Sequence, residues 1–206
     1  LIPAMAQFNT VSSASDYYRE ESVQAATKDK ETASDNAGSG KGVSENTDKS
    51  GARGDVQRQM VVERYLSVSY PLPRIKVTSP YGYRKDPFTG KRKFHGGIDL
   101  QARGDKVLAM IAGTVVKVGQ DKTSGKYVTL QHGNCMISYC HLSKILVARG
   151  TAVRPRDAVG ITGSTGRSTG EHLHITCRLN GKSVDPAILF EHVRRVQQEC
   201  VSALAE

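Results

Sequence analysis

From Tyr70 onward the chain is built of short β-branched runs separated by glycine-containing turns, at residues 107–111, 114–118, 127–131, 136–139, 158–162 and 172–179. Runs this short, with turn residues between them, cannot build helices of ordinary length and predict an all-β sheet or sandwich. One helix is expected, over residues 186–203, with Asp185 as its N-cap and Pro186 at the first helical position. The fold class is therefore mainly β with a short C-terminal helix.

Polarity divides the chain. Residues 27–55 are dominated by Lys, Glu, Asp, Ser, Gly and Asn with almost nothing to bury. Such a segment cannot offset its ordering entropy and is expected to be disordered. Upstream, Leu1-Ile2-Pro3-Ala4-Met5-Ala6 reads as the end of a secretory signal, an apolar run closed by small residues in an A-x-A arrangement. The organisation expected is a signal-peptide remnant at 1–6, a disordered polar tail or linker at 7–55, a lead-in at 56–69 and the folded domain at 70–206. No run approaches the roughly 18–20 apolar residues of a membrane-spanning helix. An exported protein of the periplasm or cell envelope is the expectation.

Charge follows the same division. Residues 1–69 carry 8 Lys+Arg against 10 Asp+Glu and residues 70–206 carry 21 against 10, so the formal +9 splits into −2 and +11. A basic domain suits an acidic polymer, whether nucleic acid, anionic membrane or the acidic peptides of a cell wall. Nucleic acid is disfavoured because the basic residues are spread out and no aromatic-basic recognition motif accompanies them. Cys135, Cys140, Cys177 and Cys200 lack the close pairing of a thiolate zinc site. They permit three full disulfide pairings or remain buried thiols. Five residues apart, Cys135 and Cys140 would point to opposite faces of one strand.

Chemistry concentrates on histidine. In Phe94-His95-Gly96-Gly97-Ile98-Asp99, an imidazole and a carboxylate four apart meet at one point only if the backbone turns between them, a freedom glycine supplies. In Gly170-Glu171-His172-Leu173-His174-Ile175, strand periodicity sets His172 and His174 side by side and sends Leu173 and Ile175 to the apolar side. His141 closes a strand in Ser138-Tyr139-Cys140-His141-Leu142, while His132 and His192 have no partner at informative spacing and read as structural. Two imidazoles and one carboxylate leave a fourth tetrahedral position open, the inventory of a hydrolytic zinc centre. Further histidines outside the coordination sphere would handle a proton or an oxyanion.

These residues stand in motifs that resemble the lysostaphin/LytM-type zinc metallopeptidases. The similarity runs from Ser79-Pro80-Tyr81-Gly82-Tyr83-Arg84 and Asp86-Pro87-Phe88-Thr89-Gly90 through His95-Gly-Gly-Ile-Asp99 and Tyr139-Cys140-His141-Leu142. It continues over residues 163–174 to Asp185-Pro186, so it covers about residues 70–190. The resemblance implies a groove-bearing antiparallel β-sheet domain, with Zn2+ held by His95, Asp99 and His174 and with His141 and His172 as an unligated catalytic pair. It implies a zinc-dependent endopeptidase acting on the peptide stems or cross-bridges of bacterial peptidoglycan. The rival is a non-catalytic regulator of wall hydrolases on the same fold, which has no need of five correctly placed chemical residues.

Overall fold

A computed structural model of the protein describes residues 49–205. The expected signal remnant and residues 7–48 of the expected tail lie outside the described residues. The chain divides into two units, Leu1–Gln59 and Met60–Glu206. A first helix, α1 (Lys49–Leu66), spans the point of division. It begins inside the stretch whose composition predicts a disordered tail. Good helix formers at Gln57, Arg58, Gln59, Met60, Glu63 and Arg64 favour helix there, and once a turn exists each further residue costs little. Exposure runs along it, with Val56 and Met60 more than half exposed. Among the described residues no helix is long and apolar enough to cross a membrane.

The second unit is an antiparallel sheet domain. Its described strands are β1 (Val77–Ser79), β2 (Gly82–Lys85), β3 (Arg92–His95), β4 (Ile98–Gln101), β5 (Lys106–Leu108), β6 (Gly113–Asp121) and β7 (Gly125–His132). They continue as β8 (Cys135–Leu142), β9 (Lys144–Ile145), β10 (Ala152–Val153), β11 (Ala158–Ile161), β12 (His172–Leu179) and β13 (Lys182–Val184), ahead of the helix α2 (Ala187–Ala205). The main sheet runs β1-β4-β12-β8-β7-β6-β10, with β13 paired to the far end of β12. A small sheet, β5-β11-β9, and the hairpin β2-β3 complete the described architecture.

Alternation of side chains gives the main sheet two unlike faces. On β12, Leu173, Ile175 and Cys177 are fully buried while His172, His174 and Thr176 stay partly open. Leu100, Val115, Val128, Ile137 and Tyr139 join the buried side. Tyr139 is fully enclosed, its hydroxyl accepting a hydrogen bond from the Met110 amide at 3.1 Å. Helix α2 opens as its sequence predicts, the Asp185 carboxylate accepting from the Ala187 amide at 2.9 Å. It buries Leu189, Val193, Val196 and Cys200, spaced along one helical face. The lead-in contributes to the core as well, since Val68 bridges to Ile111 and is buried.

All four cysteines are free and buried. Cys135 belongs to the apolar face and Cys140 to the open one, as a five-residue separation on one strand requires. Cys135 and Cys177 bring their sulfurs to 3.6 Å. Cys135 stands opposite Leu179, however, and so lies diagonal to Cys177. Diagonal Cα atoms are roughly 7–8 Å apart, beyond the usual reach of a disulfide.

Candidate metal centre

Asp99 on β4 and Cys140 on β8 are both direct cross-strand partners of His174 on β12, so the register alone puts a carboxylate beside an imidazole. His95, the last residue of β3, comes in from the hairpin. Asp99 Oδ1 lies 2.6 Å from His174 Nδ1 and 3.2 Å from His95 Nε2, and those two nitrogens are 3.1 Å apart. These three are the residues that could hold a metal ion together among those described. A tetrahedral zinc with ligand bonds of about 2.0–2.2 Å sets its ligand atoms roughly 3.3 Å apart. The observed spacings, two imidazole nitrogens and a carboxylate oxygen facing one point, therefore fit such an ion.

The His95 ring is oriented from behind. His95 donates Nδ1–H to the Pro80 carbonyl at 2.8 Å, which leaves Nε2 as the lone-pair nitrogen facing the centre. Asp99 Oδ2 faces Arg84 Nη2 at 3.6 Å. Burial pushes the Asp99 carboxyl up, but the His174 and His95 hydrogen bonds outweigh it and hold the acid well below the usual carboxylate range.

The His95–Asp99 turn works differently from its sequence expectation. Neither Gly96 nor Gly97 takes a positive φ. Gly97 is required for space instead: a Cβ there would lie 2.6 Å from His174 Cε1 and press on the Ile175 carbonyl oxygen, whereas one on Gly96 would meet nothing. The absent side chain lets the turn lie flat against β12.

Two more imidazoles complete the cluster. The His141 ring centre is 4.8 Å from that of His172 and 5.6 Å from that of His174. His141 donates Nδ1–H to the Thr165 carbonyl at 2.7 Å, and His172 donates Nδ1–H to the Gly170 carbonyl at 2.8 Å. Both keep Nε2 free to accept or pass a proton; His172 Nε2 is 3.6 Å from Asp99 Oδ1. His141 adopts φ 61°, uncommon for a residue with a Cβ, and its own amide bonds to the Ser124 carbonyl at 2.8 Å. Burial, with help from neighbouring His172 and His174, lowers its pKa below the ordinary histidine value despite the opposing Thr165 bond. Burial pushes the adjacent Cys140 thiol up to about 12, which keeps it in the weakly nucleophilic thiol form.

Sequence reasoning missed the parts that hold this pair. Thr165 and Gly170 lie in the loop between β11 and β12, and that loop is pinned to the β2–β3 turn. Arg167 Nη2 reaches both Asp86 carboxylate oxygens, at 2.9 and 3.0 Å, with its guanidinium 4.6 Å over the Phe88 ring. Asp86 Oδ1 also accepts from the amides of Phe88 and Thr89. The Asp-Pro-x-x-Gly string was the available signal, because Asp and Pro at successive positions favour a tight turn. His132 bonds through Nδ1 to the Ala112 carbonyl, away from the cluster. Hairpin and loop flank an open cavity of about 990 Å³ whose floor is the polar face of the main sheet.

Known proteins resemble the chain over its sheet domain. Residues 93–186 match the model of peptidase family M23. The chain is 40% identical over 118 residues to the DD-carboxypeptidase/endopeptidase Mpg of Neisseria meningitidis, covering 56% of this chain and 27% of that protein. Among solved structures it is similar to the catalytic domain of the prophage-encoded M23 protein EnpA of Enterococcus faecalis, with a TM-score of 0.51, 31% identity, and coverage of 59% of this chain and 95% of that one. The catalytic domain of lysostaphin from Staphylococcus simulans gives a TM-score of 0.52 at 26% identity, covering 65% and 97%. The chain spans about a quarter to a third of the length of the curated relatives it matches. With the motifs, the antiparallel fold and the near-complete alignment to an M23 catalytic domain in agreement, the chain is a member of peptidase family M23.

Proposed function

We propose that the protein is a zinc-dependent endopeptidase of the cell envelope that hydrolyses peptide cross-links of bacterial peptidoglycan. The observation that carries this reading is the convergence of His95 Nε2, Asp99 Oδ1 and His174 Nδ1 on one point of an open groove, beside two imidazoles whose Nε2 atoms are free. His95, Asp99 and His174 would hold the ion. When bound, zinc supplies Lewis acidity toward a carbonyl oxygen and makes water more acidic.

The rest of the chemistry belongs to the chain. His141, kept neutral by burial, accepts a proton at Nε2 while its Nδ1–H stays on Thr165. His172, tied through Nδ1–H to Gly170, presents Nε2 to the same site and donates from it toward a polarised carbonyl oxygen or the departing amine only as the imidazolium, with both nitrogens protonated. The groove admits an extended peptide, and its walls restrict which bond reaches the histidines. The names of two relatives, DD-carboxypeptidase/endopeptidase Mpg and the peptidoglycan DD-endopeptidase ShyA of Vibrio cholerae, support peptidoglycan as the substrate class. Complete histidine and carboxylate sets favour an enzyme over a non-catalytic regulator.

The test is digestion of defined cross-linked muropeptides followed by mass spectrometry, with and without a chelator, on protein whose metal content has been measured. One zinc per chain and chelator-sensitive cleavage of a cross-link are expected. Intact cross-links in the presence of zinc-loaded protein would reject the reading.

A further inference from the structure

A second ordered set of side chains occupies the groove floor beyond the histidines. The register places Lys117 opposite Thr129, Thr129 opposite Ser138, and Ser138 opposite Thr176, so one row crosses β6, β7, β8 and β12. Directly opposed residues share a face, and all four line the cavity. The Thr129 and Ser138 hydroxyls are 2.9 Å apart. Thr176 lies two residues beyond His174, about 7 Å along the same face, and Arg178 follows it at the cavity edge.

Charge in this groove is not balanced. The acids that line it are Asp86, Asp99 and Glu171, and each is engaged. Asp86 is held by Arg167, and Asp99 by Arg84 and the histidines. Glu171 accepts from the Gly104 amide and from the Thr162 hydroxyl. Lys117 and Arg178 are exposed, and no acid among the described residues pairs with either. The floor on the side away from the β2–β3 hairpin therefore offers the half-buried Ser138 and Thr176 hydroxyls, with Thr129 buried behind its bond to Ser138, and ends in uncompensated cations.

We propose that this row is a substrate subsite for a carboxylate-bearing peptide segment, with Lys117 and Arg178 as its specificity-determining residues. The proposal rests on the peptidase reading and adds to it the chemistry of the remote part of the substrate. Hydroxyls both donate and accept, which suits the alternating N–H and C=O groups of an extended peptide. An ammonium and a guanidinium give a carboxylate charge-assisted bonds that a primary amide cannot match. Lys117 stands three strand spacings from β12, about 14 Å across the sheet, so it reads a group several residues from the bond that is cut. A contact so remote is read in affinity before turnover, and whatever part of it is realised only in the transition state appears in kcat.

The experiment compares a cross-linked peptidoglycan fragment bearing free stem carboxylates with the same fragment after conversion of those carboxylates to primary amides. Affinity is measured by calorimetry at low temperature, before turnover, and cleavage is followed separately. Wild-type protein is expected to bind the free form about tenfold more tightly, the scale of one charge-assisted contact at a partly open surface. That ratio is expected to fall to about one in the Lys117→Gln, Arg178→Gln protein. Equal affinities in the wild type, or a ratio that survives the double substitution, would overturn the subsite. So would a glycerol-phosphate oligomer of matched charge competing as well as the free fragment, since the surface would then read charge alone. Preserved discrimination with neither fragment cleaved would reject the peptidase reading and leave the subsite standing.

Discussion

The two faces of β12 differ by a single step along the chain, yet they answer to different physics. Leu173, Ile175 and Cys177 are held by exclusion of water, and their neighbours are other apolar side chains. His172 and His174 are held by directed bonds to a backbone carbonyl and a carboxylate. The buried face stabilises the sheet whatever order its side chains take, provided volume is kept. The open face has a function only if particular atoms meet. Substitutions on one face should therefore move stability and on the other activity, with little exchange between them.

The largest effect expected is at the convergence point. Asp99→Ala or His174→Ala should lose zinc in metal analysis and reduce muropeptide cleavage by four orders of magnitude or more, to background. The thermal midpoint of the zinc-free forms should stay near that of chelated wild type. Comparable melting loss from these variants and from a core variant would break the division between faces.

Next come the free imidazoles. His141→Ala and His172→Ala should keep zinc but lower kcat about 10²–10⁴-fold, the range for removing a general acid or base. A near-normal rate with zinc bound would remove that residue from the chemistry. The pH profile sharpens this point. His141 must be unprotonated to accept a proton, and its pKa lies below the ordinary 6.5. Activity should therefore hold through 6.5 and fall only at lower pH; an acid limb above 6.5 would assign that limb to another group.

On the apolar face, Ile175→Ala should cost about 2–5 kcal/mol of stability by opening a cavity in a closed core. Denaturant melts would measure this, and cleavage per folded molecule at low temperature should stay within twofold. The smallest effect is expected at Arg167→Gln, which frees the β11–β12 loop from Asp86. A several-fold loss of kcat and a displaced acid limb with little change in KM, partly restored by Arg167→Lys, would mark Arg167 as a positioning residue. A change in melting temperature alone would not.

How much of this was legible beforehand follows from the same division. Strand alternation exposed His172 and His174 and the His95–Asp99 spacing marked a candidate pair, because period-two patterning and short motifs are local, whereas the role of His141 came only from the family resemblance. The pairing of Asp99 with His174 depends on register between strands about seventy residues apart, which no local pattern carries. Backbone carbonyls were invisible for a related reason: the roles of Pro80, Thr165 and Gly170 do not depend on their side chains. Some signals were present and went unread. Asn180-Gly181, both at positive φ, forms the two-residue turn that makes β13. The helix from Lys49 was hidden by a polar composition that suits a solvated helix as well as a coil.

The loop between β11 and β12 sets the orientation of both free imidazoles and, through Arg167, one border of the groove. The width of the groove and the orientation of His141 and His172 are thus set by the same loop. On the proposed function, a lineage that lengthened this loop to admit a bulkier cross-bridge would have to re-anchor His141 and His172 in the same stroke, so new specificities should come more readily from the opposite bank, where neither histidine is anchored.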